Sequence, residues 1–320
     1  MSFFGGGSDL HSYYSMFGGA VLSVTIDKSV YLCINKKFDS GVRLSYSITE
    51  EVGSASDLSH PLVKACLQEF QIPGGLEITS IADIPSKGTG LGSSSAFSVA
   101  LIQGLNAYQG RLISKYELAE AACELEIVKC REPIGKQDQY AASFGGLNFY
   151  EFSPDSSVNV SPIIISDTVS RRLEGNILMF YTGLTRKTSG ILRTQSAMLS
   201  ENAEIQCRMH DMVKLAYQAK KLLHEEDVDA FGALLHEAWT IKRSLSADIS
   251  SPKIDEWYQR ATDAGAVGGK LLGAGAGGFM IFYAQQENHK SIISSLSELR
   301  QIKFQFEKNG SQVVFYQPHR

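Results

Sequence analysis

Residues 85–96 read Pro85-Ser86-Lys87-Gly88-Thr89-Gly90-Leu91-Gly92-Ser93-Ser94-Ser95-Ala96, three glycines at alternate positions followed by three serines. Glycine and serine together usually mark a surface turn, but here the turn runs straight into Ala96, Val99, Ala100, Leu101 and Leu105, apolar at helical spacing. The glycines therefore feed a buried helix, predicted from about Ser94 to Tyr108. Such a junction turns free N–H groups and the positive end of the helix dipole toward the loop, where an anion is best held. The common nucleotide loop is excluded, because no Gly-Lys-Ser/Thr follows the second glycine.

The 320 residues are long enough for two domains, and 43% hydrophobic with 20% charged residues is an ordinary globular balance. A net charge of −4 and a pI near 6.0 argue against a nucleic-acid-coating surface, so any anion site is local. Five scattered cysteines without Cys-x-x-Cys spacing point to neither a disulfide framework nor a zinc site. The first residues lack the basic and apolar regions of a signal peptide, and no later run is long enough for a membrane span; a cytoplasmic protein with no membrane or nucleic-acid partner is expected.

Taken in order, Gly5-Gly6-Gly7-Ser8-Asp9-Leu10 is a glycine turn delivering an acid, followed by Tyr13-Tyr14. Asp9 either caps the next turn or offers its carboxylate to sugar hydroxyls. Residues 20–36 and 42–48 read as sheet, 57–70 as a helix, and 75–84 as a strand into the glycine loop. A second helix is predicted over 114–130, with Leu118, Ala122, Leu125 and Val128 inward and Glu126 ambiguous. Pro133 and Gly135 break it, and a short helix restarts at Gln137 with Asp138 just inside. A strand over 147–152 and a hairpin or linker over 153–160 follow, with the domain boundary near Ser166.

The second half opens with a strand over 176–181 and long helical material from 188 to 226, at whose start Arg186, Lys187 and Arg193 cluster; they form either a solvated face or a phosphate pocket. Helices over 228–245 and 252–264 lead to Gly268-Gly269-Lys270-Leu271-Leu272-Gly273-Ala274-Gly275-Ala276-Gly277-Gly278. Its formal match to a dinucleotide fingerprint is rejected, because it opens a strand rather than a helix. A tight bend packed on another active-site loop fits better. A helix over 289–299 and strands over 302–306 and 312–316 complete an α+β reading.

The three glycine stretches, in this order, resemble those of the GHMP kinases (galactokinase, homoserine kinase, mevalonate kinase, phosphomevalonate kinase). Gly5 to Leu10 with Tyr13-Tyr14, together with Glu132-Pro133-x-Gly135-Lys136-Gln137-Asp138-Gln139-Tyr140 and Phe144-Gly145-Gly146-Leu147-Asn148, most resemble the D-glycero-D-manno-heptose 7-phosphate kinases. The resemblance implies a two-domain α+β fold: a ribosomal protein S5 domain 2-like N-terminal domain over residues 1–165 and a ferredoxin-like C-terminal domain over 166–320. It implies phosphorylation of the anomeric hydroxyl of a heptose phosphate by ATP, on the route to GDP-heptose and surface polysaccharide. Alternatives are a fucose- or galactose-type kinase and a non-catalytic nucleotide- or sugar-binding paralogue.

By the same resemblance, Gly88, Gly90, Leu91, Gly92, Ser93, Ser94 and Ser95 hold the ATP phosphates. Ser94 and Glu126, with Glu124 in reserve, hold Mg²⁺. Asp138 orients or deprotonates the acceptor hydroxyl, while Gly7, Ser8 and Asp9 meet the sugar. Lys136, Arg186, Lys187 and Arg193 are the cations expected to receive the sugar phosphate. Family members carry a Lys or Arg just before the first glycine motif; aligned here it falls one position before Met1, so the natural start is expected further upstream. Phosphoryl transfer demands positioning and charge neutralisation more than covalent chemistry, and these residue types supply both.

Overall fold

A computed structural model describes residues 1–85, 90–184 and 188–318. In chain order the elements are β1 (Ser2–Phe4), α1 (His11–Phe17), β2 (Gly19–Val24), β3 (Val30–Lys36), β4 (Val42–Ser45), β5 (Thr49–Val52), α2 (Pro61–Glu69), β6 (Leu76–Ala82), α3 (Ser93–Tyr108), α4 (Lys115–Cys123), a π-helical turn (Glu124–Lys129), α5 (Gln137–Phe144), β7 (Leu147–Phe152) and β8 (Val158–Pro162). There follow α6 (Asp167–Gly175), β9 (Ile177–Tyr181), α7 (Thr188–Glu201), α8 (Ala203–His224), α9 (Val228–Ser244), α10 (Pro252–Asp263), β10 (Gly268–Leu271), β11 (Phe279–Tyr283), α11 (His289–Ser295) and β12 (Arg300–Gln301).

The β-branched run expected over 20–36 is two strands in two different sheets. Strand β2 lies in the antiparallel sheet β1-β2-β7-β8, whereas β3 lies in β3-β6-β4-β5, where β4 and β6 pair in parallel. All six residues of β2 are buried, because both faces of its sheet are covered. Alternate side chains go to different cores: Ala20, Leu22 and Val24 join the large cluster shared with α8 and α9, and Val21 joins Tyr14, Tyr140 and Tyr150. Phe3 and Phe4 on β1 both meet Phe231 of α9 edge-on, at 5.2 and 5.0 Å, contacts of about 0.5–1.5 kcal/mol each beyond area burial. The first strand is thus packed by residues more than 200 positions away.

The third sheet has the order β10-β11-β9-β12 with every neighbour antiparallel. Counted within that unit, the strands run second, third, first, fourth, which is the expected ferredoxin-like order. Two expected strands are absent: residues 302–306 and 312–316 are extended but form no ladder, and only Phe306 makes an isolated bridge, to Ile26. The backbone bonds of the first go to single residues; Ile302 N–H donates to Met179 O, and Asp27 N–H to Gln305 O. The helix expected over 114–130 changes to π geometry at Glu124, and the one expected over 188–226 is interrupted at Asn202, whose side chain caps α8.

The second and third glycine stretches touch backbone to backbone. Gly90 and Gly273 both have positive φ, +74° and +73°, and a Cβ added to Gly90 falls 2.5 Å from Leu272 O and 3.0 Å from Gly273 Cα. The Gly90→Ala variant is expected to lose about 2 kcal/mol from left-handed strain and this clash. Urea unfolding measures it, and unchanged stability contradicts the contact.

Candidate functional site

The candidate site grows from α3. Its N-cap is Gly92 in the left-handed region, and no side chain caps the helix, so the first N–H groups are those an anion meets. Leu91 packs on the main core, Ser93 is buried with an unpartnered hydroxyl, and Ser95 is buried. Ser94 is the exposed serine of the three.

Ser94 Oγ donates to Glu126 Oε1 at 3.1 Å, joining residues 32 apart in sequence. Glu126 is inward because it sits on the π-helical turn, which adds a residue per turn and re-aims the side chains that follow. Its other oxygen accepts from Gln139 Nε2 at 2.6 Å. Burial pushes the Glu126 carboxyl up, while bonds from Gln139 and from Ser95, Ser98 and Ser94 draw it partly back. No cation pairs with it among the described residues. A buried carboxylate with only neutral donors, beside an exposed hydroxyl, suits a divalent ion that takes its remaining ligands from phosphates and water. Glu124, the reserve ligand, is exposed on the outer side.

Asp138 opens the first turn of α5 and lies against Gly92, where a Cβ would come 3.2 Å from Asp138 Cγ. Gly92 is therefore needed twice, for its φ of +68° and for this approach. Asp138 is open to the cleft but walled by protein; loss of hydration first, and then the Asp9 charge, push its carboxyl up to about 6. Asp9 is 2% exposed. Its Oδ1 accepts from Gly7 N–H (2.9 Å) and Gln137 Nε2 (3.2 Å), and its Oδ2 from Gln137 N–H (3.1 Å). Asp9 thus caps α5, not the helix after it, and clamps the first glycine turn to the residue before Asp138. Burial also pushes its carboxyl up.

The remaining sequence-selected residues sort by their partners. Ser8 is fully buried, its hydroxyl donating to Ala20 O and accepting from Ala20 N–H, so it anchors the turn to β2. Lys136 Nζ donates to Ser156 O and lies 5.0 Å over the Tyr14 ring. Arg193 is exposed on α7. Gly88, Arg186 and Lys187 lie outside the described residues.

Four side chains of the cluster were assigned no role from the sequence. Gln137 and Gln139 flank Asp138 and bond Asp9 and Glu126. Gln195, 3% exposed with an unpartnered Nε2, closes over Gly7. Lys242 on α9 is 6% exposed and donates to Gly273 O. Helical spacing on α7, with Ile191, Gln195 and Leu199 on one stripe, is the signal that picks Gln195 over Arg193. A further lysine, Lys270, is 2% exposed and donates to Phe3 O, tying β1 to β10.

Residues 59–146 match the GHMP kinases N terminal domain and residues 219–308 the GHMP kinases C terminal domain. D-glycero-alpha-D-manno-heptose 7-phosphate kinase of Campylobacter jejuni is 29% identical over 320 residues, covering 96% of this chain and 94% of its own. A Bacteroides thetaiotaomicron protein described as a D-glycero-D-manno-heptose 1-phosphate kinase has a crystal structure that superposes with a TM-score of 0.78 at 26% identity, over 97% of this chain and 94% of that one. Lactococcus lactis galactokinase bound to galactose shares the fold, with a TM-score of 0.73 at 16% identity over 97% and 94% of the two chains. The chain belongs to the GHMP kinases, with their two-domain α+β fold. It is a sugar kinase, a phosphotransferase acting on a hydroxyl group with ATP as donor.

A carbon-13 carboxyl titration should find Asp138 changing charge near pH 6. In Asp9→Asn the neighbouring negative charge is gone, the ionised form costs less, and the midpoint should fall. A midpoint that stays put contradicts the coupling of the two acids.

Proposed function

We propose that this kinase transfers the γ-phosphoryl group of ATP to the anomeric hydroxyl of D-glycero-D-manno-heptose 7-phosphate, giving the 1,7-bisphosphate on a route to GDP-heptose and surface polysaccharide. The observation that carries the reading is the convergence of an uncapped helix start, the Ser94–Glu126 pair and Asp138 around Gly92. Similarity to the Campylobacter enzyme along nearly the whole of both chains supports the acceptor. The names of the two heptose relatives differ in the position of the phosphate, 7 or 1; the 7-phosphate leaves the anomeric hydroxyl free to react.

In this reading the backbone and hydroxyls of Gly90 to Ser95 receive the nucleotide phosphates. Ser94 and Glu126 hold Mg²⁺, which when bound neutralises phosphate charge. Asp138 takes the proton of the sugar hydroxyl as its oxygen bonds to phosphorus and the bond to ADP breaks. With its carboxyl pushed up to about 6, Asp138 is a stronger base than an ordinary carboxylate and still ionised at neutral pH. Asp9 retains one of about four lone-pair sites for a sugar hydroxyl, beside Gly7. Lys136, with no acidic partner within ion-pair distance among the described residues, is the described cation best situated for the sugar phosphate.

A second reading is favoured by relatives such as the Arabidopsis thaliana bifunctional fucokinase/GDP-fucose pyrophosphorylase, 25% identical over 93% of this chain and 30% of that protein. It calls for an unphosphorylated sugar as the better acceptor. ADP release across free sugars and sugar phosphates decides: a higher kcat/KM on the heptose 7-phosphate is expected, and a preference for fucose or galactose overturns the assignment. Asp138→Asn should keep ATP binding and lose about 10²–10⁴-fold in kcat; near-normal turnover removes Asp138 from the chemistry. Ser94→Ala should raise the Mg²⁺ concentration for half-maximal rate, and an unchanged metal requirement removes Ser94 from the metal site.

A further inference from the structure

Lys242 sits in the last turns of α9 and its side chain is buried, 6% exposed, three residues after the fully packed Trp239. Burying an ammonium costs several kcal/mol unless its charge is answered, and a leucine or methionine would fill the same space. No carboxylate comes within ion-pair distance of it among the described residues. Among the described residues its one hydrogen bond is to Gly273 O, a backbone carbonyl.

The surroundings define where the unanswered charge acts. Gly273 is the residue stacked on Gly90, so the carbonyl that anchors the ammonium belongs to the turn lying against the phosphate loop. Asp9 and Asp138 act on Lys242 through space, and neither carboxylate comes within ion-pair distance of it. Gly90 stacks on Gly273, and Gly92, two residues on, lies against Asp138, so the ammonium fixed at Gly273 and the Asp138 carboxylate are both set against the residues that open α3. An anion held at that helix start is the charge such an ammonium answers.

We propose that Lys242 is a catalytic cation of this kinase: its ammonium, fixed by Gly273 O, contacts the transferring phosphoryl group and stabilises the charge that group carries in transit. The proposal rests on the phosphoryl-transfer reading of the site. In the step itself the Lys242 protons stay on nitrogen; the acceptor proton goes to Asp138 and the electron pair of the broken bond to ADP. Burial, the first cause, lowers the Lys242 ammonium to about 8, with Asp9 and Asp138 opposing the fall. The neighbouring titratable groups are Lys270 and the Met1 amino group, both lowered by burial, the latter to about 6.

The test is Lys242→Gln, whose amide can still donate to Gly273 O but carries no charge, with Lys242→Met removing both. The expected result for Lys242→Gln is a melting temperature close to that of the parent chain, KM for ATP and sugar phosphate within about threefold, and kcat lowered about 10²–10³-fold, as for removal of a group aimed at developing charge. Because the charged form is the active one and exists below its pKa, kcat/KM of the parent should decline as pH rises through about 8, and this limb should vanish in the variant. Near-parental kcat in a folded Lys242→Gln, or a loss confined to KM, overturns the proposal and leaves Lys242 as a brace for the Gly273 turn. If Lys242→Met fails to fold, the glutamine variant carries the test alone. Slow ADP release to water without any sugar is measured on the same proteins. An equal rate in parent and Lys242→Gln overturns the proposal even if the sugar is misassigned, whereas a parent that transfers to no acceptor overturns the kinase reading first.

Discussion

The structure depends on a contact that only glycine allows, the stacking of Gly90 on Gly273. Each residue has a backbone conformation disfavoured for other amino acids, and each occupies the volume the other's side chain would need. Through it the residues that lead into α3 rest on the bend between β10 and β11. Everything else in the site is registered to that contact: Gly92 two residues on receives Asp138, and Gly273 O receives Lys242. Beside the contact, Leu91 and Leu272 pack into the main core.

The site separates its charges by burial. Glu126 is enclosed among neutral donors, Asp9 is held by two N–H groups and an amide, and Asp138 alone of the three acids opens to the cleft. The same principle acts on cations, since Lys242 and Lys270 are nearly inaccessible yet answered by carbonyls instead of carboxylates. Such groups are unstable partners in the empty site and strong ones when an anion arrives, because low polarity magnifies each charge.

Much of this was legible in the sequence. Alternate glycines before an apolar helix gave the helix start that α3 shows, uncapped by any side chain, and the rejection of a dinucleotide fingerprint at Gly273 to Gly278 in favour of a loop-packing bend agrees with the Gly90 contact. Helical spacing alone did not turn Glu126 inward, because the π-helical turn that does so breaks the 3.6-residue period on which such readings rely. Asp9 read as a cap for its own helix but caps α5, more than 120 residues later, since capping partners need not be neighbours in sequence. Lys242 and Gln195 were invisible for a similar reason: a lysine or glutamine on an amphipathic helix reads as solvated until tertiary packing buries it. The strands expected at 302–306 and 312–316 had suitable β-branched and aromatic residues, yet past Gln301 the backbone makes bonds to single residues such as Met179 and Asp27 and builds no ladder.

On the reading proposed above, an acceptor hydroxyl at Asp138 would face a phosphoryl group held by α3. The measurement that tests it most directly is a phosphorus-31 to proton correlation spectrum of the product formed from ATP, Mg²⁺ and D-glycero-D-manno-heptose 7-phosphate. The account predicts a new phosphate resonance coupled to the anomeric proton, with the original 7-phosphate retained. A new phosphate coupled to any other sugar proton, or no new resonance in the presence of bound ATP, contradicts it.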